Sequence, residues 1–321
     1  MTQTRHGGNA SQSGEHARNK PLTVETNQFG NVNRRKFLLA GSGALAASAI
    51  GITGYSIGIE PEWLEIVQRD LPVALLPRSL HGATLALVSD IHVGPRVSDD
   101  YLIHSLRRLS LITPDIVVIT GDFITHDSSR GEHQFAQLGN VLRHMPHGRL
   151  ATIGVLGNHD YGSGWNDPVV AHRVVAEAER AGVSMLRNDV HSVEGLDVVG
   201  IDDLWSGLAD TRRAFAARRN DSAIVLCHNP DALDELQWAD YTGWILSGHT
   251  HGGQCKPPFL PPPVLPVKNK RYSAGEISVD DRRSLYISRG IGYLIQVRFN
   301  VRPEITLFTL RADIPRKSST T

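Results

Sequence analysis

Only two cysteines, Cys227 and Cys255, occur in 321 residues, so no disulfide framework is available. Neither has a CxxC partner, and both read as packed thiols rather than metal ligands. A surplus of one charge is also missing, since 33 Lys and Arg balance 33 Asp and Glu. A dedicated nucleic-acid binder carries a basic excess, so no specific nucleic-acid partner is expected. No internal repeat is visible. Residues 1–33 lack the apolar content that would offset ordering entropy and read as a disordered polar terminus.

The segment after this terminus is an address. Asn33-Arg34-Arg35-Lys36-Phe37-Leu38-Leu39 leads into an uncharged run, rich in Ala, Gly and Ser, that reaches Ile59. Paired arginines before a moderately apolar segment are read by the twin-arginine (Tat) export machinery. The run of about 23 residues would measure ~35 Å as a helix, enough to cross a bilayer. Ala47-Ser48-Ala49 offers an A-x-A cleavage site. Residues 34–59 are therefore a cleaved signal or a retained anchor. The expected location is the periplasm, the cell envelope, or the inner membrane with the remaining chain outside. Tat carries folded proteins, so a metal site could be filled before export.

Residues 60–81 read as a connecting segment, 82–312 as one catalytic domain and 313–321 as a tail. Within the domain, short apolar runs end in small or polar residues. Leu85–Val88 runs into Ser89-Asp90-Ile91-His92, and Ile116–Ile119 into Thr120-Gly121-Asp122. Ile153–Leu156 runs into Gly157-Asn158-His159-Asp160, and Ala223–Leu226 into Cys227-His228-Asn229. Trp244–Leu246 runs into Ser247-Gly248-His249-Thr250-His251. Such runs read as buried strands. Helical patterns lie between them, at Tyr101–Leu111 and Val169–Ala181, which implies an α/β fold with largely parallel strands. Ligands gather beyond the carboxyl ends of such strands, where every one of these polar clusters falls. Ser284–Ser288 and Glu304–Leu310 are expected to complete a second sheet packed on the first.

Each fragment alone is weak: Gly-Asp is a common turn, and most of the 15 histidines are expected to be ordinary surface residues. Order and placement give the series its force. It runs D-x-H, G-D, G-N-H-D, a lone His, then G-H-x-H, each at a strand end. This series resembles the calcineurin-like metallophosphoesterase superfamily over about residues 82 to 310. Gly248-His249-Thr250-His251-Gly252-Gly253-Gln254 and Ser288-Arg289-Gly290-Ile291-Gly292 are similar to its exported bacterial phosphodiesterase branch.

The resemblance implies a two-sheet β-sandwich flanked by helices, in four αββα layers. It implies two divalent metal ions, with a bridging hydroxide as nucleophile. Asp90, His92 and His251 would hold one ion, Asn158, His228 and His249 the other, and Asp122 would bridge them. His159 would protonate the leaving oxygen, and Asp160 would orient His159. Mixed imidazole, carboxylate and amide donors suit Mn, Fe, Zn or similar ions, and no thiolate cluster singles out Zn. The protein Ser/Thr phosphatases of the superfamily carry Asp-Arg-Gly after Gly-Asp and Glu after Gly-Asn-His. Here Phe123-Ile124-Thr125-His126-Asp127 and Asp160 stand instead, which argues against that activity. His126 reads as a surface or supporting residue.

The expected reaction is hydrolysis of phosphodiester or pyrophosphate bonds in an exported or membrane-associated substrate. A phosphomonoesterase and a non-catalytic exported metal-binding protein are the alternatives. Arg289 and Arg298 are candidate phosphate contacts, and Gly162–Trp165 a flexible rim. Residues 257–267 are Pro-rich and stiff, and Lys268, Lys270 and Arg271 come directly after. They form either a rigid loop packed on its own domain or an apolar, basic surface for lipid phosphodiesters and headgroups.

Overall fold

The computed structural model describes residues 33–312. The reading of disorder for residues 1–32 and of a tail for 313–321 lies outside the described residues. By its internal contacts the chain divides between Ala49 and Ile50. The first unit contains the start of helix α1 (Arg34–Gly58), where Phe37, Leu38, Leu39 and Leu45 are exposed. By length and composition Arg35–Glu62 is able to cross a membrane, with a mean hydropathy of 1.6.

The second unit contains the end of α1 and, among the described residues, twelve strands in two six-stranded sheets. The strands are β1 (Glu65–Val73), β2 (Thr84–Val88), β3 (Ile116–Thr120), β4 (Ala151–Val155), β5 (Ser184–Met185) and β6 (Asp189–Val193). They continue as β7 (Leu196–Gly200), β8 (Ala223–Leu226), β9 (Gly243–Ser247), β10 (Gly275–Ser278), β11 (Arg283–Ile287) and β12 (Glu304–Ala312). One sheet runs β1-β12-β2-β3-β4-β5 and the other β10-β11-β9-β8-β7-β6. Helices α2 (Asp99–Ser110), α3 (Glu132–Leu142) and α4 (Pro168–Arg180) pack on the first sheet; α5 (Thr211–Ala216) and α6 (Ala232–Glu235) accompany the second.

Alternation along the strands builds the layers. In β2, Leu85 and Leu87 join Ile116, Val118, Ile224, Leu226 and Leu246 in the core between the sheets. Ala86 and Val88 point the other way, against Leu102, Leu106 and Leu138 of the helices. Both faces are covered, so β2 and β3 tolerate apolar residues at nearly every position. Each buried Val, Leu or Ile side chain there contributes about 1.5–3 kcal/mol. Helix α2 starts where the Ser98 hydroxyl accepts from the Tyr101 N–H, and its last turn holds Arg107 and Arg108 against the helix dipole.

Two expectations change here. The segment read as a connector contains β1, which pairs in parallel with β12. Its charges and Pro72 hide it as a strand, and it is tolerated because β1 lies at a sheet edge. The two late strands do not share a sheet. β11 joins β9 in the second, whereas β12 enters the first, antiparallel to β2.

Candidate metal centre

The loops after β2, β3 and β4 come from adjacent strands of one sheet, and those after β8 and β9 from adjacent strands of the other. Backbone hydrogen bonds tie them together. The Asp90 N–H donates to the Gly121 carbonyl at 3.0 Å, the His92 N–H to the Asp122 carbonyl at 3.0 Å, and the Gly248 N–H to the His228 carbonyl at 3.1 Å. The His249 N–H crosses between the sheets to Asp90 Oδ1 at 3.0 Å. There is no room for a side chain at the tightest crossings. A Cβ on Gly157 would stand 2.3 Å from Asp122 Oδ1, and one on Gly248 only 1.9 Å from Ser89 Oγ.

Strain concentrates on the same residues. Asp90, His92, Asp122, His249 and His251 all have positive φ, between 50° and 70°. This region costs a non-glycine residue of order 1–3 kcal/mol. Five such residues in one site mean that packing of the loops overrides local preference to aim these side chains.

They converge in two groups, Asp90 with His92 and His251, and Asp122 with His228 and His249. His251 Nε2 lies 3.4 Å from Asp90 Oδ1 and 3.0 Å from His92 Nε2. His249 Nδ1 lies 3.3 Å from His228 Nε2. Asp122 Oδ2 stands between the groups, 3.5 Å from His92 Nε2 and 3.2 Å from His228 Nε2. All six are buried.

The histidine tautomers explain what such an arrangement holds. His228 Nδ1–H donates to the Thr120 carbonyl at 2.7 Å, and His249 Nε2–H to the Pro266 carbonyl at 2.8 Å. A carbonyl only accepts, so each ring turns its other nitrogen toward the centre, where it can take a proton or a cation. Ring nitrogens facing each other across 3.0 to 3.3 Å repel unless a proton or a cation stands between them. Asn158, also buried, has no hydrogen-bond partner for either amide atom among the described residues, although a buried amide is costly to leave unpaired. Lone pairs, carboxylates and an orphaned amide around one point fit two divalent ions of the Mn, Fe or Zn kind. Cys227 and Cys255 belong to neither group.

Burial sets the protonation of these groups. It draws His92 and His249 down to about 3 and His251 well below its ordinary value. It opposes a charge on His228 too, but the carboxylates of Asp122, Asp90 and Asp203 prevail and push that ring up to about 10. Without metal, His228 is therefore protonated at pH 7 and the other three rings are neutral. A cation takes the lone pair that this proton occupies. Metal loading at pH 7 should release at least about one proton per chain, and affinity should weaken as the pH falls. Calorimetric titration with Mn in buffers of different ionisation enthalpy measures this, and loading without proton release would contradict the assignment of His228.

His159 is set apart. Its ring is half-buried, belongs to neither group and lies 5.2 Å, centroid to centroid, from that of His92. It borders a cleft of about 630 Å³ together with Asp122, Asn158, His249 and His251. Its backbone N–H donates to Asp122 Oδ1 at 2.9 Å.

Three expected contacts are not what the structure builds. Asp160 makes no hydrogen bond to the His159 ring among the described residues. Its two oxygens accept the N–H groups of Ile124 and Gly157, at 3.1 and 2.9 Å, so it braces the loops. Arg289 pairs with Glu65 and Glu304. Arg298 is fully buried and donates to the carbonyls of Arg289, Gly292 and Val301. Neither arginine is free for a phosphate. The basic residues after the proline loop are engaged likewise: Lys268 with Glu235, Lys270 with the Leu265 and Val267 carbonyls, Arg271 with the Ser278 carbonyl. His126 meets the Ser163 hydroxyl at 3.2 Å, a supporting contact. Trp205, edge-to-face with the His249 ring at 4.5 Å between centroids, was not anticipated; an aromatic in the polar loop Asp202-Asp203-Leu204-Trp205 was its only signal.

A helix-flanked pair of six-stranded sheets, carrying a doubled His and carboxylate centre at its strand ends, defines a binuclear metallophosphoesterase. The calcineurin-like phosphoesterase model matches residues 83–253, and the chain belongs to that family. It is 32% identical to the metallophosphoesterase YkuE of Bacillus subtilis, covering 88% of this chain and 98% of that protein. It is 29% identical to the phosphodiesterase YaeI of Escherichia coli, covering 87% and 99%. It is 26% identical to the UDP-2,3-diacylglucosamine pyrophosphatase LpxG of Chlamydia trachomatis, covering 78% and 90%.

Proposed function

We propose that this chain hydrolyses phosphodiester or pyrophosphate bonds in an exported or membrane-associated substrate. The observation that carries this reading is the meeting of two ligand groups at Asp122, with an uncoordinated His159 beside them on the open cleft. Asp90, His92 and His251 would hold one cation, Asn158, His228 and His249 the other, and Asp122 would serve both. Divalent ions held there would supply positive charge to the phosphoryl oxygens and lower the pKa of a water for attack. His159 delivers the proton that the leaving oxygen needs. Asp160 keeps the His159 loop in place through the Gly157 and Ile124 N–H groups. The names of the phosphodiesterase and pyrophosphatase relatives support a diester or anhydride over a monoester. Turnover of bis(p-nitrophenyl) phosphate, p-nitrophenyl phosphate, a nucleotide-sugar lipid and a glycerophospholipid, with Mn and with a chelator, tests the reading. No metal-dependent turnover of any of them would reject it.

The same proposal includes the route. Residues 34–59 act as a Tat signal or anchor that places residues 82–312 outside the inner membrane. Arg34→Lys with Arg35→Lys keeps the charge and removes the pair that the machinery reads. The double variant should stay in the cytoplasm on fractionation, and normal export would reject the route.

A further inference from the structure

The cleft beside the ligand groups extends well beyond what a phosphoryl group needs. Its outer wall is Trp165, Trp205, Val264, Leu294, Ile295 and Val297. Away from the ligand groups and His159, Gln254 and Thr250 are occupied elsewhere: Gln254 donates to the Ile295 and Val297 carbonyls, each at 2.8 Å, and the Thr250 hydroxyl donates to the Ser273 carbonyl. A sugar or a nucleobase would find few hydrogen-bond partners on that wall, whereas a hydrocarbon needs none. Val264 and Ile295 are also largely exposed, as are Phe259 and Leu260 of the same proline loop as Val264. Apolar residues grouped on one rim are unusual in a protein facing only water.

The wall is joined to the apolar helix. Gln296 Nε2 donates to the Ile57 carbonyl at 3.4 Å, and the Arg298 N–H to the Ser56 carbonyl at 2.9 Å. Four residues on, the Arg302 guanidinium lies 4.2 Å over the ring of Trp63, which is half-exposed just past the apolar run. A tryptophan with a cation at the end of an apolar helix suits the headgroup layer of a bilayer. Segment 295–302 thus ties the end of a helix able to cross a membrane to the wall of the cleft.

We propose that this cleft binds the acyl or alkyl tail of a membrane-resident phosphoester, which enters past Val264 and Ile295 and leaves the phosphoryl group at the ligand groups. This rests on the hydrolase reading and names its substrate class. The test is calorimetric binding of ethyl, butyl, hexyl and octyl phosphate, below their micelle concentrations, to the Mn-loaded full chain in amphipol, with empty amphipol as the blank. The dissociation constant should fall by roughly two- to fourfold per methylene, as apolar burial requires. Val264→Asp and Ile295→Asp, both at exposed positions, should flatten the series, with metal content of the same samples reporting an intact centre. Equal affinity for ethyl and octyl phosphate, or an unchanged slope in both metal-loaded variants, would overturn the proposal. The two readings fail separately. Tight octyl phosphate binding without any phosphoester turnover removes the hydrolase and keeps the tail site; metal-dependent turnover with a flat series does the reverse.

Discussion

His159→Ala should retain its metal and lose rate, and the loss should depend on the leaving group. The ring lies outside both ligand groups, so its removal takes no donor from the centre. It stands at the edge of the cleft, where it can reach a bound ester. A general acid contributes about 10²–10⁴-fold when the departing oxygen is a poor leaving group. An alkyl alkoxide needs that proton, whereas nitrophenolate departs well without it. The variant should therefore lose about 10²-fold or more on alkyl esters and far less on nitrophenyl esters. His228→Ala should behave differently, losing metal and activity on both. Turnover on the two ester types, beside metal content for both variants, measures the contrast. Equal losses on both esters with depleted metal in His159→Ala would move His159 into the coordination shell.

The strand ends were legible because two local signals coincide there. Short β-branched runs mark buried strands, and the residues directly after them cannot continue the strand. Asp90, Asp122, His228 and His249 could thus be placed on one edge before any contact was known, and the structure brings them together. What failed to be legible depends on distant partners. Arg289 and Arg298 looked like free cations, but the groups that engage them come from β1, from β12 and from the backbone of the Arg289–Val301 loop. β1 itself carries Pro72 and charged residues, and only its pairing with β12 makes it a strand. The place of β12 in the first sheet is a matter of topology, which no local pattern encodes. The Pro266 carbonyl, which fixes the His249 tautomer, has no sequence signature because every residue has a carbonyl. The proline loop around it is divided, and the basic residues that follow it are engaged within the chain. Leu265 and Val267 are packed inward, while Phe259, Leu260 and Val264 face out.

In the proposed centre, Asp122 joins two metal sites into one. Its Oδ2 lies within 3.5 Å of ring nitrogens from both groups, a position no other carboxylate at the site shares. Burial opposes its charge, but the neighbouring His228 outweighs that and holds its carboxyl well below the ordinary range, so it is an anion ready to be shared. Asp122→Asn keeps the shape and removes the charge. The two cations that these groups would hold then lose the negative charge that Asp122 would share with both. Metal stabilisation of the transition state is worth several kcal/mol, so activity should fall by about 10³-fold or more. The most direct measurement is elemental analysis of the parent chain and Asp122→Asn, side by side after Mn loading and gel filtration. About two equivalents are expected in the parent, as a two-metal centre requires, and fewer than about one in the variant. Two equivalents retained in Asp122→Asn, or fewer than about one in the parent, would contradict the bridging role.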